Sequence, residues 1–344
     1  SYLLKGIGIL CIILHNYSHN IRGAMKENEF VYFPGRVTSY FHAVAQGNHL
    51  FLNLFSYWGH IGVALFVFLT AYGLTRKSLT HPHSLGHGLH GGAAFVGRRA
   101  LKLWGLMLVA FMLYLVVNVV IRLITHSDFF VRMPKHDWWA FTLLNNPIAP
   151  WTHAHYFFGP WWYMGLALQL VLLYRVAVHG RSSWWIISIA LICTALGITL
   201  SACNVDWHWM NYYKENFTGW MLPFAAGVLM ARRNVVVSLS LALLSLLLMV
   251  LANLNVCAWH FVPLLSLLFL VGIGLIIKVK WAAKPLAWVG RLSMYIFATH
   301  TIVRWQMQPF TTLDNFCYLW PAYLALVMLL AWVCKQICKV YEKQ

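Results

Sequence analysis

Long stretches without any charged residue divide this chain, and they restrict its fold more than any other feature. Asp, Glu, Lys and Arg are all absent from residues 37–75, 138–174, 182–205 and 234–277. Each stretch exceeds the roughly 20 residues that an α-helix needs to cross the hydrocarbon core of a bilayer. Charged residues form only 10% of the chain, whereas they form about a quarter of a soluble domain. The sequence therefore predicts a polytopic membrane protein.

The apolar stretches predict an all-α protein with about ten transmembrane helices. Backbone polar groups in lipid must be paired within helices or in a closed barrel, and these stretches lack the apolar–polar alternation of barrel strands. Asn253 and Asn255 predict the turn that divides the longest stretch. We expect a single transmembrane domain over residues 1–344, with no appended soluble domain and no cleavable signal peptide. The predicted spans are 2–19, 57–74, 102–124, 160–178, 184–202, 218–231, 235–252, 257–277, 286–304 and 318–337.

The basic residues predict the orientation of these spans. With the N-terminus inside, most of the 25 lysines and arginines fall in inner loops and tails, and this bias sets orientation in membrane proteins. We therefore expect both termini in the cytoplasm. The formal charge of +17 then reflects topology and predicts no nucleic-acid partner, although a basic inner face suits an anionic ligand. The basic residues assigned to the outer side are Arg22, Lys26, Arg36, Arg122, Arg132, Lys135, Lys214 and Arg304.

The acidic residues and the cysteines narrow the chemistry. All eight carboxylates, Glu215 among them, fall in predicted loops or tails. Cation-coupled carriers usually place an acid within the membrane, so this distribution counts against such a carrier and against paired-carboxylate glycoside hydrolysis. The seven cysteines show no CxxC spacing and are interpreted as packing residues, with a disulfide between Cys203 and Cys317 left open.

Two histidines are predicted at matching depths within spans. His15 lies ten residues after Lys5, and His300 lies nine residues after Arg291. At ~1.5 Å per residue these separations are about 15 Å and 14 Å, which places both imidazoles near mid-membrane. An ionisable group within a span indicates function, although a neutral histidine hydrogen-bonded between helices is the structural alternative. The matched pair favours function.

Five segments resemble motifs of acyltransferase family 3, the integral-membrane O-acyltransferases that modify cell-surface glycans. The first begins with a basic residue and ends with a histidine, the second is rich in phenylalanine, and the last reads Gly-Arg-Leu-Ser with a later Tyr and His. All five follow the order that the family shows. These segments are residues 4–15, 62–73, 98–102, 160–164 and 290–300.

The first two motifs depart from the family pattern. The family has Arg, ten residues and then His, whereas here nine residues separate Lys5 from His15. One residue corresponds to ~100° of helix rotation. Either Asn16 therefore takes the direction of the family's histidine, or the helix start is shifted and His15 still faces the centre. His19, one turn further on, is another candidate, and in the second motif Thr70 with the following alanine replaces Ser-Gly.

The resemblance implies acyl transfer, with acetyl as the expected group, from cytoplasmic acyl-CoA to a hydroxyl of an extracytoplasmic carbohydrate or lipid-linked glycan. It also implies a multi-pass protein of a bacterial inner membrane. We expect His15 to act as base or acyl carrier, because an imidazole can do either near neutral pH. We expect His300 to orient His15, bind the acceptor or share in the transfer of the proton. Guanidinium groups suit the phosphates of the donor. The expected donor-binding residues are Lys5, Thr70, Tyr72, Arg76, Lys77, Arg98, Arg99, Lys102 and Arg291.

Aromatic residues are the expected acceptor contacts. Aromatic rings stack on sugars, although tryptophan also lines membrane interfaces for structural reasons. Trp161 and Trp162 are favoured because they lie in a family-like motif. The expected acceptor-binding residues are His60, Trp161, Trp162, Tyr163 and Tyr295.

Other classes of function stay open. One is a membrane haem protein with His15 and His300 as axial ligands, and another is a carrier of lipid-linked sugars that performs no chemistry. We expect no metal, because the one histidine-rich segment is interrupted by glycines and is interpreted as a flexible loop. Its histidines are His81, His83, His87 and His90.

Overall fold

The protein is described by a computed structural model, which covers residues 2–25, 30–47, 49–86, 88–126, 141–152, 157–233, 235–277 and 280–342. The described residues form helices and no strand, which confirms the predicted all-helical class. The α-helices are α1 Tyr2–Ser18, α2 Arg36–Ala45, α3 Leu50–Trp58, α4 Gly62–Thr80, α5 Gly88–Thr125, α6 Asn145–Thr152, α7 Trp162–Leu173, α8 Ser183–Ala202, α9 Trp207–Glu215, α10 Met221–Arg233, α11 Leu239–Ala252, α12 Val256–Trp259, α13 Val262–Ile276, α14 Lys280–Met307 and α15 Phe316–Glu342.

Each predicted span overlaps at least one of these helices, although span 57–74 begins in α3 and continues into α4, and span 257–277 covers both α12 and α13. Among the described residues, five helical segments are long and apolar enough to cross a membrane. Three shorter apolar helices, α1, α11 and α13, accompany them. The total of ten spans and the sidedness of the termini stay predictions. The five long segments are Leu50–Thr80, His90–Thr125, Gly159–Val178, Ser183–Ala202 and Phe316–Lys339.

The turn predicted within the longest apolar stretch is confirmed. Helix α11 ends directly before Asn253. Asn255 then caps α12, because its side-chain oxygen accepts hydrogen bonds from the backbone N–H groups of Cys257 and Ala258 at 2.9 and 3.0 Å. Such a cap satisfies backbone donors that the first helical turn leaves without an intrahelical acceptor.

The cysteines form no disulfide. All seven lie in the described part of the chain, and all are free. Cys193 and Cys334 are buried, as expected for packing residues, whereas Cys203 and Cys317 are exposed. The disulfide that the sequence left open between this last pair is therefore absent.

Helix α1 is the centre of the bundle and packs most extensively against α14. Ile9 and Ile13 of α1 are completely buried. At Gly290 of α14, an added Cβ would overlap the backbone carbonyl oxygen of Tyr2. A small residue at such a crossing lets two helix backbones approach closely, as is common in membrane bundles. The first and last family-like motifs are therefore in direct contact.

A 3₁₀ turn, Gly59–Ile61, connects α3 to α4 and packs against α1. A Cβ added at Gly59 would lie 2.5 Å from the Cβ of His15 and 2.6 Å from the carbonyl oxygen of Cys11. Any larger residue would push the turn away from α1. This close approach places His60, the next residue, beside His15.

One predicted outer-loop residue, Lys214, is buried at 2% exposure. Its Nζ lies 3.8 Å from the centroid of the Trp259 ring, an arrangement in which the ring face attracts the ammonium group. The indole N–H of Trp220 donates a hydrogen bond to the carbonyl oxygen of Lys214 at 2.6 Å. Burial nevertheless lowers the pKa of Lys214 to about 7.

Candidate functional site

A cavity of about 360 Å³ lies against the C-terminal half of α1. Its lining includes Ile12, His15 and Asn16 of the helix, and His19 and Asn20 of the turn that directly follows it. Residues three and four positions apart share one face of a helix, so the three side chains left open by the shifted first motif all reach the same space. The lining also includes His60 from the 3₁₀ turn, Trp162 from α7, Glu215 from α9, and Phe297 and Arg304 from α14.

His15 is held in one orientation by the neighbouring helix. Its Nδ1 lies 3.1 Å from the backbone carbonyl oxygen of Phe55. A carbonyl oxygen can only accept a hydrogen bond, so Nδ1 carries the proton and donates it. In the neutral ring the lone pair then resides on Nε2, which is the nitrogen able to accept a proton or attack an acyl group. The side chain is 5% exposed, so this geometry is fixed by packing.

His60 repeats this arrangement on the opposite wall. Its Nδ1 donates to the carbonyl oxygen of Tyr57 at 2.8 Å, which again leaves the Nε2 lone pair as the acceptor. The His60 and His15 rings are 5.6 Å apart between centroids in an edge-on arrangement. The His19 ring lies 5.0 Å from that of His15. The structure therefore brings three imidazoles together, one from α1, one from the turn that follows it and one from the 3₁₀ turn.

His300 contacts Asn16 rather than His15. Its Nδ1 lies 3.1 and 3.0 Å from the carbonyl oxygens of Ile296 and Phe297 in its own helix, so Nδ1 is the donor. Its Nε2 then accepts from the side-chain amide of Asn16 at 3.3 Å. His300 is completely buried and does not line the cavity. Asn16 therefore lines the cavity, and His300 lies behind it in hydrogen-bond contact with the Asn16 amide.

The sequence did not single out two charged residues that line the cavity. Arg304, assigned to the outer basic set, is 9% exposed, and its Nη1 donates to the carbonyl oxygen of Asn16 at 3.3 Å. Its buried Nε has no hydrogen-bond partner. Glu215, assigned to a loop, ends α9 at the cavity wall. One signal could have identified Arg304, because it lies at the end of a predicted span, where charge is costly.

Comparison of the sequence with models of protein families identifies the family of this chain. A family model described as an acyltransferase domain, that of acyltransferase family 3, matches residues 3–335, almost the whole chain. The chain belongs to this family. The resemblance drawn from the five motifs is therefore confirmed, and the protein is a membrane acyltransferase. Comparisons with curated proteins and with solved structures found no match.

The aromatic residues expected to bind the acceptor fall into two groups in this acyltransferase. Trp162 lines the cavity. Trp161 is almost fully buried and donates from its indole nitrogen to the carbonyl oxygen of Ala298 at 3.3 Å, so it joins α14 to the start of α7. Tyr163 is buried beside Phe297, with ring centroids 5.2 Å apart, and Tyr295 is half-buried in α14. Of these four aromatic residues, only Trp162 reaches the cavity.

The residues expected to bind the donor lie at the opposite end of α1. Lys5 is half-buried and close enough to Arg99 for an electrostatic interaction. The other basic candidates are exposed, which leaves them accessible to a ligand in solution. They are Arg76, Lys77, Arg98, Lys102 and Arg291.

The two uncharged donor candidates, Thr70 and Tyr72, lie on α4. The Thr70 hydroxyl donates to the carbonyl oxygen of Phe66 at 2.8 Å, and it also forms a hydrogen bond with the Tyr163 hydroxyl. The Tyr72 ring lies 5.8 Å from that of Phe68. Both residues therefore have structural contacts, and Tyr72 lies one helical turn before the exposed Arg76.

The described residues contain no group of three or more histidine, cysteine or carboxylate side chains that could hold a metal. His87 of the histidine-rich segment lies outside the described residues, as does the side chain of His83. The haem alternative meets a specific obstacle at His300. Both of its ring nitrogens contact the chain's own groups, so axial ligation would require breaking one of these hydrogen bonds.

Proposed function

We propose that this acyltransferase transfers an acetyl group from cytoplasmic acetyl-CoA to a hydroxyl of an extracytoplasmic carbohydrate or lipid-linked glycan. The observation that carries the proposal is His15, whose Nδ1–H is held by the Phe55 carbonyl at 3.1 Å beside a cavity of about 360 Å³. A general base needs its accepting nitrogen oriented towards the substrate, and a fixed Nδ1 contact achieves that.

The chemistry requires one proton acceptor. Nε2 of His15 takes the proton of the acceptor hydroxyl while the hydroxyl oxygen attacks the thioester carbonyl. The carbon–sulfur bond then breaks, an ester forms, and the proton passes from His15 to the departing thiolate, which yields free CoA. An acyl-histidine route would use the same nitrogen as nucleophile, and the CoA thiolate would leave as the acyl–nitrogen bond forms. The acceptor hydroxyl would then attack the acyl group, the acyl–nitrogen bond would break, and the hydroxyl proton would pass to the thiolate. Both routes make His15 the catalytic residue.

The donor and acceptor approach from opposite sides in this proposal. The basic end of the bundle faces the cytoplasm, where Lys5, Arg99 and Arg291 meet the phosphates of the donor. The cavity lies about ten residues further along α1, ~15 Å deeper at 1.5 Å per residue. The flexible pantetheine arm of CoA carries the thioester inwards. The acceptor comes from the outer side and contacts His60 and Trp162.

The most direct test compares surface glycans from cells with and without the gene by mass spectrometry. We expect an added mass of one acetyl group on a glycan only when the gene is present. In parallel, the purified protein should release CoA from acetyl-CoA when that glycan is added. Identical glycan masses in the two strains, together with no CoA release, would exclude the proposal.

Substitution of His15 tests the mechanism. We expect His15→Ala to abolish acylation while acyl-CoA binding and expression stay near wild type, and His15→Gln to be no better, because an amide cannot accept the hydroxyl proton. His42→Ala, at an exposed histidine of α2, is the matched control. If His15→Ala stays active while Asn16 or His19 variants are inactive, the shifted motif assigns the base to one of those residues instead.

The same variant separates this proposal from the two other classes. A carrier of lipid-linked sugars would keep its transport in His15→Ala, since no proton transfer is involved. A haem protein would show a Soret absorbance band in stoichiometric amount after purification. We expect neither result.

A further inference from the structure

Arg304 presents an unusual combination of charge and burial at the cavity. Its side chain is 9% exposed, it lines the cavity, and its Nε has no hydrogen-bond partner. Its one hydrogen bond goes from Nη1 to the carbonyl oxygen of Asn16 at 3.3 Å. No carboxylate in the described part of the chain forms an ion pair with it. A buried charge without a counter-ion is costly unless a ligand supplies one.

Resting on the function proposed above, we propose that the acceptor carries an acidic group, a carboxylate or a phosphate, and that Arg304 binds it. A guanidinium group offers five N–H donors in a planar fork that matches the oxygens of either anion. The contact with Asn16 uses only part of this capacity. The guanidinium donors that face the cavity are available to an acidic group beside His15.

Glu215 lines the same cavity and adds a carboxylate group to its wall. A carboxylate accepts hydrogen bonds from hydroxyl groups, so it suits the sugar portion of such a molecule. Arg304 and Glu215 do not pair with each other. A hydroxyl-rich acid, with its anionic group at Arg304 and hydroxyls towards Glu215 and His15, would therefore use both charged groups of the lining.

A second cavity, of about 330 Å³, shares one lining residue with the first. Asn20 lines both, and the second one also includes Arg22, Trp305 and Gln308. The side-chain amide of Gln308 donates to the carbonyl oxygen of Asn20 at 3.5 Å. This second cavity offers an exposed arginine and an indole ring, features that suit an anionic carbohydrate.

The test uses saturation-transfer difference NMR on the purified protein in lipid nanodiscs. Two matched pairs of probes separate the sources of the anion, namely glucuronic acid against glucose, and farnesyl phosphate against farnesol. We expect one acidic probe to bind at least about tenfold more tightly than its neutral partner, since a charge-assisted contact contributes roughly that factor or more. The probe that binds tells whether the acid belongs to a sugar or to a lipid phosphate.

The variants identify the residue. We expect Arg304→Gln to remove the preference for the acidic probe and Arg304→Lys to keep part of it, because charge is retained but the planar fork is lost. Arg122→Gln, at an exposed arginine near the end of α5, should behave as wild type. Three results would overturn the proposal. They are equal binding of acidic and neutral probes, no binding of either acidic probe, and an unchanged preference for the acidic probe in Arg304→Gln. If Arg304→Gln fails to fold, the comparison of wild type with Arg304→Lys still decides.

The acylation assay separates this inference from the proposed function. Transfer of acetyl to a neutral glycan, with Arg304→Gln fully active, would refute the acidic acceptor and leave the acyltransferase activity intact. Anion preference that depends on Arg304 without any acetyl transfer would refute the proposed reaction and leave the binding site.

Discussion

The contact between Gly59 and His15 leads to the sharpest structural prediction. In Gly59→Ala the new Cβ would lie 2.5 Å from the Cβ of His15, whereas ordinary van der Waals contacts fall at 3.4–4 Å. The turn and α1 must therefore separate by about 1 Å, and backbone at Cys11, 2.6 Å from the same Cβ, must shift as well. This displacement carries His15 away from both the Phe55 carbonyl and His60.

The expected effect on catalysis exceeds the effect on stability. A misplacement of about 1 Å at a reacting group can cost roughly 100-fold in rate, whereas overpacking of a core typically costs about 1–3 kcal/mol of unfolding free energy. We expect the acetylation rate of Gly59→Ala to fall by about two orders of magnitude. The affinity for acetyl-CoA, whose expected contacts lie at the other end of α1, should change little.

The assay follows CoA release by the purified variant in nanodiscs, with the thermal unfolding temperature and acetyl-CoA affinity measured on the same preparation. Gly105→Ala is the matched control, since a Cβ there meets nothing within 4 Å. It should retain full activity. A Gly59→Ala enzyme that works at the wild-type rate would refute the claim that this turn positions His15.

The remaining predictions concern the donor site, the topology and a buried charge. Each of the substitutions Arg98→Ala, Arg99→Ala and Arg291→Ala should weaken acetyl-CoA binding severalfold, because a contact at an exposed position contributes about 1 kcal/mol or less. If calorimetry shows unchanged affinity in all three variants, these arginines have only a topological role. In intact cells of a Cys317→Ser strain, a membrane-impermeant maleimide should modify the exposed Cys203. A cysteine introduced by Arg181→Cys should react only after the cells are permeabilised. The opposite pattern would reverse the predicted orientation. Burial lowers the pKa of Lys214 to about 7. Between pH 7 and the ordinary pKa of a lysine, the folded protein therefore binds fewer protons at Lys214 than the unfolded chain does. Stability should therefore increase as pH rises from 7 to 9, seen as a higher unfolding temperature, and Lys214→Met should reduce this dependence.

The sequence by itself determined the membrane class, the helical fold and the positions of the long apolar helices. These properties depend on local composition, because a backbone in lipid must satisfy its own hydrogen bonds and charge is costly within the hydrocarbon core. The turn at Asn253 and Asn255 follows from the same local reasoning, since an asparagine side chain caps a helix start within three residues. The histidine in the first motif was identified in the same way, from its depth within an apolar helix.

Only the tertiary structure decided which side chains meet. His15 is oriented by Phe55, 40 positions away, and Asn16 contacts His300 across 284 positions. The sequence paired His15 with His300 by depth, but depth along a helix does not fix rotation about it. The one-residue shift in the first motif left that rotation open, and close packing at Gly59 resolves it by placing the 3₁₀ turn against His15.

The buried charges show the same limit. Lys214, Glu215 and Arg304 were assigned to loops or to a span end, where a charged residue is normally solvated. Whether such a residue is exposed depends on what packs over it, and for Arg304 the contact comes from Asn16, 288 positions away. Local composition contains no information on that contact. The burial of Lys214 and Arg304 is therefore a property of the assembled helices, as is the position of Glu215 on the cavity wall.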